Sequence, residues 1–175
     1  GCYDGAIAFR TPFVSGKDSL NNQFTTRDGR TIEIPPTLLI TGIGIVHDTN
    51  RCVTMDAKRP GSVLLLVGSP TDRLGGSRVH RGFGTPAAGP SAAAAVAGLI
   101  SRGLVLSAHD VSDGGLLTSV AEMLIGGSSP ASPIGARLDP LGLAAAFAES
   151  PSCYVLEVDA ASLPQVSAAL GGTPH

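Results

Sequence analysis

The chain has 175 residues, of which 43% are hydrophobic and 15% charged, with a formal net charge of -2. That length holds one domain or parts of two, and so apolar a composition excludes a disordered chain and implies a buried core. Near-neutral charge without a basic cluster excludes the broad electrostatic attraction that nucleic acid or an anionic membrane surface requires.

The three cysteines, Cys2, Cys52 and Cys153, are widely spaced and form no CxxC pair or Cys/His ligand spacing. This is the pattern of reduced thiols in a cytoplasmic protein rather than of disulfides or zinc. The longest apolar run, residues 38–46, is interrupted by Thr41, Gly42 and Gly44 and is too short to cross a bilayer. No charged and then apolar opening marks the chain for secretion.

Residues 2–9 read as the tail of a helix, and the absence of an initial methionine suggests a fragment or excised domain. A short strand at residues 12–14 leads into the loop Ser15-Gly16-Lys17-Asp18-Ser19-Leu20-Asn21-Asn22. Glycine lets the backbone approach a ligand closely, and lysine supplies a mobile charge suited to phosphate oxygens. Asp18, Ser19, Asn21 and Asn22 add oxygens, a hydroxyl and amides for a metal or for hydrogen bonds. Lys17 and Lys58 are the only lysines, which sets Lys17 apart from routine surface charge. The same residues also serve as ordinary turn chemistry at a strand end.

Asp28-Gly29-Arg30 is a turn signal between residues 22–26 and 31–34 and predicts a hairpin. The Leu-, Ile- and Val-rich stretch 37–47 predicts a central strand, and 52–55 a short one. The polar link at residues 57–61 marks a domain boundary, dividing the chain into 1–60 and 61–175. Beyond it, the pattern predicts strands at 62–68, 104–108, 134–138 and 154–158 and helices at 90–102, 116–124, 141–149 and 163–170. Strand and helix in alternation imply an α/β or α+β layer of helices on a sheet. The Gly-, Pro- and Ser-rich stretch 69–89, containing Leu74-Gly75-Gly76-Ser77, is longer than a normal connection.

The turn from His109 to Gly115 carries the second candidate chemistry. Asp110 and Asp113 bracket Ser112 just before a helix, where backbone N–H groups and the helix dipole favour anions. Ser112 suits a phosphate, and Asp110 a magnesium ion that also takes phosphate oxygens and water. Ser112 or Asp113 is equally a natural N-cap. His109 reads as a hydrogen-bonded structural residue more readily than as an acid or base. No catalytic residue is assigned.

With both stretches in view, the sequence resembles phosphoribosylformylglycinamidine synthase of purine biosynthesis. The matching words are residues 11–22 (TPFVSGKDSLNN), 34–46 (IPPTLLITGIGIV), 74–77 (LGGS) and 109–116 (HDVSDGGL), followed by Ala121-Glu122-Met123. The resemblance implies the aminoimidazole ribonucleotide synthetase-like fold, here the end of a β-rich N-terminal subdomain and most of an α/β C-terminal subdomain of the second of two copies. It implies an ATP-dependent ligase joining glutamine-derived ammonia to formylglycinamide ribonucleotide, releasing ADP and phosphate. By motif, Gly16, Lys17, Asp18, Ser19, Asn21 and Ser112 would lie by nucleotide or substrate phosphates, and Asp110 would bind Mg2+. The implied partners are a first synthetase copy and a glutaminase domain or subunit, and the family's catalytic histidine belongs to that first copy.

Two other readings remain open. One is a structural or nucleotide-holding half, inactive alone. The other is an ATP pyrophosphatase type, although residues 15–19 are one glycine short of its Ser-Gly-Gly-x-Asp-Ser loop.

Overall fold

Residues 154–158 are apolar at every position except Glu157, the composition of a strand covered on both faces. In the computed structural model this segment, β5 (Tyr154–Val158), is the middle strand of a sheet between β3 (Val63–Val67) and β4 (Ser107–Asp110), antiparallel to both. The structure describes residues 1–18, 22–35, 37–70, 90–171 and 173. By contacts it forms two compact units, Gly1–His47 and Asp48–His175.

In the first unit, α1 (Cys2–Phe9) ends at Arg10, whose left-handed backbone (φ 56°) returns its N–H to Ala6 and Ile7 carbonyls. The expected hairpin is present as β1 (Gln23–Thr25) and β2 (Thr31–Glu33), with Phe24 opposite Ile32. Its turn uses Gly29 at φ 82°, a conformation that favours glycine. The stretch 37–47 departs from expectation. It forms no strand, and its side chains are exposed, Leu39 to 89% and Ile43 to 93%. Apolar composition states what a segment gains by burial, but a strand exists only where another backbone accepts its hydrogen bonds. Residues 12–14 form no strand for the same reason.

In the second unit, side chains alternate across β5 and supply two cores. Leu156 and Val158 join Val67, Val96 and Leu99 beneath α2 (Pro90–Ser101) and α5 (Leu163–Leu170). Cys153 and Val155 join Val120 and Met123 of α3 (Gly115–Gly127) on the opposite face. Both faces are thus covered, which explains the nearly continuous apolar strand.

Four expectations shift. β4 begins at Ser107 rather than at 104, so His109 and Asp110 lie on the strand. Residues 52–55 and 134–138 form no strand, and the helix expected at 141–149 is only α4 (Leu143–Phe147), bounded by extended Gly142 and Ala148. Residues 134–139 and Leu141 instead wall a cleft of about 580 Å³ with Leu64, Leu66, Leu116 and Val155.

Glu157 shares the α3 side of the sheet and is fully buried. Its carboxylate accepts hydrogen bonds from Lys58 N (2.7 Å), Arg59 N (3.2 Å), Ser62 Oγ (2.7 Å) and Ser107 Oγ (2.8 Å). Burial pushes the carboxyl pKa up, but hydrogen bonds from Ser62, Lys58, Ser107 and Arg59 outweigh it and hold the group below its ordinary 4.5. The link at 58–62 is therefore fastened to the sheet. Ala57 N donating to Met123 O (2.9 Å) and Ala108 N to Thr54 O (3.2 Å) add to this. These bonds hold residues 54–62 within the second unit, Asp48–His175.

Replacing Glu157 with Gln should destabilise the protein by about 2–4 kcal/mol at neutral pH, because buried donors then face an amide. A group whose folded pKa is depressed stabilises above its unfolded pKa, and that contribution is lost as pH falls through the folded value. Thermal melts of both proteins should therefore differ most at pH 7 and converge as pH falls below the ordinary carboxyl value of 4.5 and through the depressed folded one; a constant difference would contradict this. Gly127→Ala should cost about 1–3 kcal/mol in denaturant unfolding, because its Cβ would fall 2.1 Å from Ala57 O.

Candidate nucleotide-binding site

The turn between β4 and α3 is shaped by backbone constraints. Val111 N donates to Cys153 O (2.8 Å), carrying the pairing one residue past β4. The chain then reverses through Gly114 (φ 84°) and Gly115 (φ 76°), two successive residues in the left-handed region. A Cβ on Gly115 would lie 2.5 Å from the Phe147 carbonyl carbon, so the start of α3 presses directly on α4. Buried Ser119 donates its hydroxyl to Asp110 O (2.9 Å), tying the strand end to the first turns of the helix.

These constraints leave Asp110 and Ser112 exposed, two residues apart. Asp110 lies opposite Tyr154 in the ladder. By alternation it shares the α2 side of the sheet with Ala108, so the 580 Å³ cleft on the α3 side is not part of this site. Among the described residues, no group of three or more His, Cys, Asp or Glu side chains could hold a metal ion. A single exposed carboxylate beside a hydroxyl nonetheless fits magnesium, which commonly takes one or two carboxylates and completes its shell with phosphate oxygens and water.

His109 is nine-tenths buried. Its Nδ1 lies 2.8 Å from Asp110 O and 3.3 Å from Asp110 Oδ1. Nε2 approaches Glu122 Oε2 to 3.0 Å, at ion-pair distance but without hydrogen-bond geometry. The ring thus bridges β4 and α3, which agrees with the structural reading of this residue.

Neither Ser112 nor Asp113 is the N-cap of α3. That position is Gly114, which has no side-chain cap. Its N–H is accepted instead by Glu149 Oε1 at 3.0 Å, while Gly115 N donates to Ser112 O at 3.0 Å. The anion at this helix start is therefore a carboxylate from the same chain. Sequence reasoning missed Glu149, which no local pattern marks, and Glu157, which one does: a lone charge in an apolar strand requires buried partners.

In the first unit, Gly16, Lys17 and Asp18 are exposed. A Cβ on Gly16 would meet nothing, so the backbone is open to approach there. Lys17 Nζ donates to Asp18 O. Ser19 and Asn21 lie outside the described residues, as do Leu74-Gly75-Gly76-Ser77.

An antiparallel sheet packed by helices on both faces, with an acidic strand-to-helix turn at its end, defines an α+β domain of layered helices and sheet. The chain belongs to the family described as AIR synthase related protein, C-terminal domain, whose model matches residues 59–174. It is 35% identical over 178 residues to phosphoribosylformylglycinamidine synthase subunit PurL of Rhodopseudomonas palustris, covering 93% of this chain and 23% of that protein. It is 33% identical over 179 residues to the Thermus thermophilus subunit of the same name, covering 95% and 23% respectively. The chain thus spans about a quarter of these relatives' length.

Among solved structures, Thermotoga maritima PurL complexed with ATP matches 69% of this chain and 21% of its own, with a TM-score of 0.51 and 19% identity. PurLQS from the same organism matches the same shares, with a TM-score of 0.52 and 20% identity. These likenesses show a shared fold. Among the described residues, no helix is long and apolar enough to cross a membrane.

Gly115→Ala should distort the turn, since it adds both a disfavoured backbone conformation and a contact with Phe147. Chemical denaturation should show a loss of about 2–4 kcal/mol, whereas Gly135→Ala, where a Cβ meets nothing, should change stability by less than about 1 kcal/mol.

Proposed function

We propose that this chain is the nucleotide-binding second copy of the synthetase part of a phosphoribosylformylglycinamidine synthase. The whole enzyme converts formylglycinamide ribonucleotide, glutamine-derived ammonia and ATP to formylglycinamidine ribonucleotide, ADP and phosphate. One observation carries this reading. Identity of 33–35% to the PurL subunits extends over more than nine-tenths of the chain, a span that includes both chemistry-bearing stretches. Thermotoga maritima PurL has been described in complexes with ATP, ADP and FGAR, which supports nucleotide and substrate binding by the family.

In this reading Lys17 meets phosphate oxygens as a mobile cation, and Gly16 lets them approach the backbone. Asp18, Ser19 and Asn21 supply hydrogen bonds along the same loop. Ser112 offers its hydroxyl to the nucleotide, and Asp110 would hold Mg2+. When bound, that ion neutralises phosphate charge. The reaction's other requirements, ammonia from a glutaminase domain or subunit and a first synthetase copy, lie with partners. The chain's setting is cytoplasmic, and its free thiols suit a reducing compartment.

A nucleotide-holding role without turnover is the second reading, favoured by the state of His109. The histidine next to Asp110 is buried, with Nδ1 against the Asp110 carbonyl and Nε2 facing Glu122, and so is poorly placed to exchange protons with a substrate.

Calorimetric titration with ADP and ATP, with and without Mg2+, tests the proposal. Wild-type protein should bind, and more tightly with magnesium. Lys17→Ala should weaken binding about tenfold or more without changing the melting temperature, because loss of a charge-assisted hydrogen bond costs about 1.5–3 kcal/mol. Asp110→Asn should abolish the magnesium enhancement. Unchanged affinity in the first variant, or an intact magnesium effect in the second, removes that residue from the site. AMP and pyrophosphate as products of the assembled enzyme would instead favour the pyrophosphatase reading.

A further inference from the structure

Two carboxylates from outside the β4–α3 turn, Glu122 and Glu149, differ in what they hold. Glu122 faces the His109 ring, whereas Glu149 reaches from the residue after Ala148, just past α4, to a backbone N–H in the middle of the turn. We infer that Glu149 is a positioning residue for nucleotide binding: by accepting the Gly114 N–H, it sets the backbone that presents Asp110 and Ser112. This rests on the reading that Asp110 and Ser112 face a magnesium-bound nucleotide.

Three observations support it. The Gly114 N to Glu149 Oε1 bond (3.0 Å) is charge-assisted and joins residues 35 apart in sequence. Beside it, Gly115 is so close to Phe147 that a single added carbon would overlap the backbone, so α4 packs directly against the turn. The Ser119 bond to Asp110 O then passes that constraint from the helix to the strand end. A turn containing two glycines in the left-handed region has high intrinsic freedom, and side chains from outside must restrict it.

The arrangement also changes how phosphate would be recognised. The N–H groups of Gly114 and Gly115 are already taken by Glu149 and by Ser112 O. Those two amides are therefore not the phosphate donors at this turn, and recognition passes to the Ser112 hydroxyl and to a cation on Asp110.

The test compares wild type, E149A and E149Q by calorimetric titration with ADP in the presence and absence of Mg2+, alongside thermal melts and hydrogen exchange of the Gly114 amide. E149A should lose about tenfold in magnesium-dependent affinity, lose most of the magnesium enhancement and exchange the Gly114 amide at least tenfold faster. E149Q keeps an acceptor oxygen and should stay within about threefold of wild type on each measure. A merely structural Glu149 would lower the melting temperature and leave the magnesium enhancement unchanged, and that result overturns the inference. So does an E149Q that loses as much affinity as E149A. If E149A does not fold, E149D, which withdraws the oxygen by one methylene, replaces it with the same two outcomes. Failure of the wild type to bind ADP would instead defeat the functional reading. Exchange at Gly114 then decides the positioning role, which unchanged protection in E149A overturns.

Discussion

A buried carboxylate on the central strand organises the second unit. Glu157 is fully enclosed and answers four donors from three parts of the chain: the 58–59 backbone, Ser62 and Ser107. Enclosure of an ion is costly, and it is tolerated only where hydrogen bonds replace the lost water. Because those bonds come from the link before β3 and from the start of β4, they hold the β3–β5–β4 order at one end of the sheet. The same contact fastens the link at residues 58–62 to the sheet of the second unit, Asp48–His175.

At the opposite end of the strands the same economy operates on a smaller scale. The β4–α3 turn has no side-chain cap, and its glycines give it freedom that a binding site cannot use. Restriction comes from Glu149, from the close approach of Gly115 to Phe147 and from Ser119. The exposed groups, Asp110 and Ser112, are thus carried on a backbone held from behind. Exposure makes them available to a ligand, and the supporting bonds fix where they point. The first unit offers the contrasting case: none of its described residues is buried, and many of its large apolar side chains are exposed.

Membership of the AIR synthase related C-terminal domain family gives this arrangement its functional context. The chain corresponds to about a quarter of the length of the PurL subunits it resembles, and binding and presentation within a larger enzyme is the function proposed for it. That framing suits a site that carries an exposed carboxylate and hydroxyl while its histidine is occupied in joining β4 to α3.

Much of the architecture was legible from residue pattern. The hairpin followed from Asp28-Gly29, strands β3 and β5 from continuous apolar runs, and helices α2, α3 and α5 from their spacing and from Gly103. The words around Lys17 and Asp110 identified the candidate chemistry. Pattern is a local property, and it failed wherever the outcome depended on a distant partner. Residues 37–47 have strand composition but no ladder, and β4 starts three residues late because its register is set by β5. Residues 134–138 wall a cleft rather than join a sheet. Which carboxylate would be buried, and which would steady the turn, was decided only when the chain brought Glu157 to Lys58 and Glu149 to Gly114. A sequence states each group's need for a partner, and only the tertiary fold determines which group supplies it.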